Sequence, residues 1–176
     1  MQPVLVVKDE RYALHLENVP HIESPRRVKA MHEALEDPSL KGKWLELKPR
    51  AATEEELAWV HTKGYIQRVA QSAGKEITSF DLDTQATNHS YEAACLGVGG
   101  VFTLLDEIVA GKGKRGFACI RPPGHHAEAD KAMGFCLFNN VALGARYLKE
   151  RHGMKKVMII DIDLHHGNGT QAAFYD

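Results

Sequence analysis

Val157–Gly169, VMIIDIDLHHGNG, runs four apolar residues straight into two acids, two histidines and two glycines. An apolar run that is rich in β-branched Ile and ends in acids predicts a buried strand of a parallel sheet, with its chemistry at the carboxyl end. Alternation along an extended chain puts Asp161, Asp163 and His165 on one face, whereas residues two apart on a helix do not face each other. Gly167 and Gly169 predict a loop directly after His166. Ligands of open α/β sheets bind in the crevice beyond the strand ends, and a carboxylate beside an imidazole is a divalent-metal ligand pair. The competing reading is a strand end whose acids merely cap the next helix.

A second stretch has the same design. Gly116–Ile120 predicts a buried strand, and it leads into RPPGHHAE, residues 121–128. Two prolines fix the backbone there, and Gly124 permits a sharp turn before His125 and His126. Adjacent histidines make poor core filler, because burying two imidazoles requires two sets of partners. Simple surface placement is the alternative for this pair.

Composition bounds what these stretches belong to. The chain has 176 residues, 44% of them hydrophobic and 26% charged, which is ordinary globular material and long enough for a sizeable core. Lys plus Arg number 22 against 23 Asp plus Glu, so the charge balance offers no footprint for nucleic acid or a membrane surface. Cys95, Cys119 and Cys136 lack CxxC spacing and sit in apolar contexts, as reduced thiols in a core would. A cytoplasmic home is the expectation. Val4–Val7 is too short for a signal segment, and no apolar run approaches the length of a membrane span.

Read in order, Pro3–Val7 predicts a first strand. Ser24-Pro25 opens an amphipathic helix that Asp37-Pro38 closes, and WLEL within 41–49 predicts a strand. Thr53 with Glu56 forms a capping box ahead of a short helix, a second helix follows His61, and residues 76–90 read as an ordered polar loop. From Tyr91 to Gly111 the helical period returns, with Gly99 and Gly100 suggesting close packing. Phe138–Glu150 is the next helix, and Thr170 opens a last one. This alternation implies one α/β domain with a mostly parallel sheet flanked by helices.

Taken together, the two strand ends equip the chain for metal-assisted hydrolysis. Asp163 and His165 would hold the metal, and His125 and His126 would handle protons. Asp161 and Asn168 are natural partners behind the imidazoles, and an Asp favours imidazolium on its His whereas an Asn does not. The two rings are thereby pushed toward different roles.

RPPGHHAEADKAMGFCLFNNVALGARY followed by DIDLHHGNGTQAAFY closely resembles the zinc-dependent histone deacetylase family, including its bacterial amidohydrolase and acetylpolyamine-deacetylase relatives. HLENVPHIESPRR, VHTKGYI and DLDT extend the resemblance over nearly the whole chain. It implies an arginase/deacetylase-like fold, with residues 1–176 the N-terminal part of one catalytic domain. The implied activity is removal of an acetyl group from acetyl-lysine or another acetylated amine. Asp163 and His165 become zinc ligands, with iron or cobalt as substitutes. His125 and His126 become the tandem acid-base pair, with Asp161 behind His125 and Asn168 behind His126, where some members carry Asp. Gly134 and Phe135 match the channel wall, Asp83 the rim acid that holds substrate backbone, and Arg27 a basic residue beneath the pocket. The family also implies potassium near Asp161, Asp163 and His165.

The family's third zinc ligand, an Asp, and its transition-state Tyr lie on later segments that these 176 residues do not contain, so the fold reads as incomplete at the C-terminus. The strands that pair beyond Val157–Asp161 are then missing, which leaves an apolar edge prone to self-association, including a homo-oligomer. Two further readings stay open. One is a non-catalytic half-domain that binds metal or a partner. The other is a different metal hydrolase such as a magnesium phosphatase, which has no use for His125 and His126.

Overall fold

The computed structural model describes residues 2–175. Its sheet is built on β1 (Val4–Val7), which pairs in parallel with β2 (Trp44–Leu47) on one side and with β5 (Gly116–Ala118) on the other. Leu5, Val6 and Val7 are all buried, which is what a central parallel strand covered on both faces requires. Leu5 and Val7 pack with Leu47, Leu104, Ile108 and Ala118 on one side of the sheet.

Helices supply the cover. α1 (Pro25–Leu35) starts with Pro25 in its first turn, although the Ser24 side chain makes no capping bond. α2 (Glu54–Leu57) has the reciprocal capping box expected of Thr53 and Glu56, and α3 (Lys63–Ala70) follows His61. α4 (Ser90–Val109) crosses the sheet and packs along α5 (Asn140–His152). A Cβ added at Gly99 would stand 2.1 Å from the Arg50 carbonyl oxygen, so only glycine lets α4 come this close to the 50–52 segment. Between α4 and α5, Phe102 and Tyr147 stack at 4.1 Å inside the main core cluster.

Five expectations need correction. The buried strand over Val157–Asp161 is not formed, because no described strand lies beside the segment to offer a hydrogen-bonded ladder. Its alternation survives nonetheless. Met158, Ile160, Ile162 and Leu164 are 72–94% exposed, while Val157 and Ile159 on the other face are half-buried. The strand after Lys114 is also shorter than expected and lies at the sheet edge, with Phe117 exposed. The polar loop 76–90 contains a two-stranded antiparallel pair, β3 (Thr78–Ser79) with β4 (Gln85–Ala86), too short to carry a periodic signal. The helix expected from Phe138 begins at Asn140, because the Asn139 side chain caps it through the Ala142 N–H, and the last helix, α6 (Asn168–Ala172), begins two residues before Thr170.

Candidate active site

The chain leaving β5 passes Arg121, whose guanidinium is buried against the Glu23 carboxylate at 2.7–2.8 Å and also donates to the backbone carbonyls of Tyr12, His15 and Glu23. Four residues on, the two imidazoles emerge 4.1 Å apart between ring centres. Each Nδ1 has its own partner on the later segment: His125 meets Asp161 Oδ2 at 2.9 Å, and His126 meets Asn168 Oδ1 at 2.7 Å. The Asn168 amide nitrogen donates to Glu128 Oε1 at 2.7 Å, which sets the amide's orientation and presents its oxygen to His126. The Thr170 N–H donates to the His125 carbonyl at 3.1 Å, so the start of α6 is docked directly on the histidine turn.

The site is acidic as well as basic. The hydrogen bond from His125, followed by the Asp163 N–H, holds the Asp161 carboxyl below the usual carboxylate range. The His165 N–H does the same for Asp163, at 2.8 Å. Asp163 Oδ1 lies 3.1 Å from His165 Nδ1 and 4.0 Å from His125 Nε2. Two ligands of one tetrahedral zinc are roughly 3.3 Å apart for metal–ligand lengths near 2 Å, so Asp163 and His165 have the chemistry and spacing of two such donors. Among the described residues no group of three His, Cys, Asp or Glu side chains is arranged around one metal position.

A cavity of about 420 Å³ brings Arg27, Asp83, His125, His126, Gly134, Phe135, Asp163 and His165 together. Asp161 and Asn168 stand behind the two imidazoles. Arg27 also lines a neighbouring cavity of about 350 Å³ together with Glu23 and Arg121. Gly134 has φ +54° and faces the His126 ring so closely that a Cβ would stand 2.3 Å from Cδ2, while Phe135 has the unusual φ of +69°. Sequence reading passed over Asp81, which accepts from the Asp83 and Thr84 N–H groups at 3.1 and 2.6 Å, and also Glu128, Arg121 and Glu23. For Asp81 an Asx-turn pattern was available as a signal. Nothing local marks the others, because the contacts that place them, Glu128 with Asn168 and Arg121 with Glu23, span 40 and 98 residues.

Comparison with known proteins shows the family and the fold. The family described as "Histone deacetylase domain" matches residues 21–176. The chain belongs to the histone deacetylase domain family. It is similar to Histone deacetylase 15 of Arabidopsis thaliana, with 42% identity over 171 residues that cover 94% of this chain and 31% of the relative. Polyamine deacetylase HDAC10 of Homo sapiens is 37% identical over 167 residues, covering 88% of this chain and 24% of that protein. The solved HDA15 HD domain superposes with a TM-score of 0.92 at 40% identity, over 99% of this chain and 51% of that one. The fold of this histone deacetylase family member is therefore the deacetylase-type parallel α/β sheet flanked by helices. The chain spans about half the length of that solved domain and a smaller share of the curated relatives.

Proposed function

We propose that residues 1–176 are the N-terminal part of one deacetylase catalytic domain that hydrolyses the amide of acetyl-lysine or a similar acetylated amine. The observation that carries this reading is the pair of adjacent imidazoles, one ring on a carboxylate and the other on an amide, opening into the same cavity as Asp163 and His165. Zinc, held by Asp163 and His165 with a donor outside these residues, would polarise the acetyl carbonyl and make water a stronger acid. His126 uses Nδ1 on Asn168, which leaves Nε2 as the ring atom to take the proton from water as its oxygen bonds to the carbonyl carbon. His125, held through Nδ1 by Asp161, is the ring placed to stabilise developing negative charge and to protonate the departing amine as the C–N bond breaks. Phe135 and Gly134 wall the approach, Asp83 stands at the rim to accept from substrate backbone N–H groups, and Arg27 lies beside the cavity next to Glu23. Potassium near Asp161 and Asp163 belongs to the same reading.

The three cysteines are buried and unpaired with one another, and burial pushes the Cys95 and Cys136 thiols up to about 12. A reducing, cytoplasmic setting suits them. The test is turnover of a fluorogenic acetyl-lysine peptide by the full-length protein, with metal analysis of wild type and His165→Ala. Zinc-dependent, chelator-sensitive turnover and metal loss in the variant are expected. A magnesium-loaded protein with phosphatase activity and no amide hydrolysis would overturn the reading.

A further inference from the structure

His21 is a half-buried imidazole on the strap between Leu14 and α1, and nothing in the proposed chemistry uses it. Both of its nitrogens are nonetheless engaged. Nε2 lies 3.1 Å from the Asp83 carbonyl oxygen, which can only accept, so the hydrogen sits on Nε2. Nδ1 then accepts the Glu23 N–H at 3.1 Å, with the Glu23 carbonyl oxygen 3.2 Å away. The ring edge also meets Phe135 at 4.9 Å between centroids, with planes at 89°.

The contacts continue past His21. The buried Thr84 hydroxyl donates to Asp83 Oδ1 at 3.0 Å and accepts the Phe135 N–H at 3.0 Å. One hydrogen-bonded path therefore runs from Glu23, which Arg121 anchors, through His21 to Asp83 and through Thr84 to Phe135. A non-glycine residue at φ +69° costs energy and persists only where its surroundings hold it there, and Phe135 is held by this path.

We propose that His21 is the positioning residue that locks the Asp83 rim loop and the Phe135 channel wall into one preformed substrate-binding surface. The inference rests on the roles given to Asp83 and Phe135 above. It predicts an effect on recognition rather than on proton transfer, since His21 contacts neither His125 nor His126.

Two substitutions in the full-length protein divide the ring's bonds. In His21→Gln the amide reaches the place of Nε2 and can still donate to Asp83, whereas the shorter His21→Asn mimics Nδ1 alone and gives that bond up. Amide hydrogen exchange at residues 81–84 and 134–136 is measured together with KM and kcat on an acetyl-lysine peptide. In His21→Asn, exchange at both loops is expected to rise several-fold and KM about tenfold, with kcat within about twofold, while His21→Gln stays near wild type. Thr84→Val, which cuts the path beyond His21, is expected to raise exchange at Phe135 while sparing the His21–Asp83 bond. Equal loosening by Asn and Gln, or unchanged exchange in His21→Asn, would overturn the proposal. If wild type shows no turnover, the function reading fails, yet the exchange pattern still decides whether His21 ties the two loops.

Discussion

His126 Nδ1 is bound to an amide oxygen, that of Asn168 at 2.7 Å, whereas its neighbour His125 is bound to a carboxylate. In Asn168→Asp the amide becomes a second carboxylate, which stabilises the protonated form of His126. A general base must be deprotonated to work, so the acid limb of the kcat/KM profile is expected to move to higher pH. The new carboxylate also stands 2.7 Å from Glu128, so some stability is lost by like-charge repulsion. The pH profile of the variant, with its melting temperature alongside, checks both. A limb that stays in place would show that His126 is not the base.

His126→Ala should lower kcat by ~10²-fold or more while metal content is retained, the usual cost of losing one general acid or base. Asp83→Ala should act mainly on KM, because a rim contact is present in ground and transition states alike. Steady-state kinetics with metal analysis separates the two, and exchanged patterns would mean that chemistry and recognition had been assigned to the wrong residues.

Gly134→Ala tests the tight wall of the site. Its new methyl would start 2.3 Å from the His126 ring at φ +54°, so the backbone must strain by roughly 1–2 kcal/mol or the ring must leave its place. The expected result is a lower melting temperature together with a fall in kcat of about 10- to 100-fold. Unchanged kcat would place the reactive ring elsewhere.

His61 predicts the pH dependence of stability. Burial pushes it down to about 4, and its neutral form is fully used: Nδ1 donates to the Glu128 carbonyl at 2.8 Å and Nε2 accepts the Asn139 N–H at 3.0 Å. Because the folded value lies below the ordinary 6.5, the unfolded chain binds more protons between the two. Stability is complete above pH 6.5 and is lost as pH falls toward 4, by roughly 3 kcal/mol for this one group. His15, buried and pushed well down by burial too, adds in the same sense. Urea unfolding of the full-length protein at pH 7 and 4.5 should show a shallower pH slope in His61→Gln. A slope as steep as in wild type would assign the effect to other groups.

Local chemistry made much of this fold legible in the sequence. The Thr53–Glu56 box, the Pro25 start of α1 and the Val4–Val7 strand all depend on neighbours in the chain, and all are present. The segment 157–161 shows the limit of such reading. The apolar run reads as a buried strand, but strand pairing needs a neighbour that periodicity cannot name, and Met158 and Ile160 stand exposed. The site divides in the same way. HHAE and DIDLHHGNG announce themselves by composition, whereas Glu128, Asp81 and the His21 path matter only through what the fold brings beside them.

Arg121 closes onto Glu23 across 98 positions of sequence. During synthesis at 5–20 residues per second, Glu23 therefore waits roughly 5–20 seconds before its cation exists outside the ribosome. The strap before α1, the His21 link and the histidine turn gain this anchor only after that moment, so the mouth of the candidate site is a late arrival in the birth of the chain. Such long-range closure is slow and leaves the early-made segment without its docking partner. For this interval the N-terminal third depends on chaperones or on its own solubility, and substitutions at Arg121 should be felt first as poor yield of newly made protein.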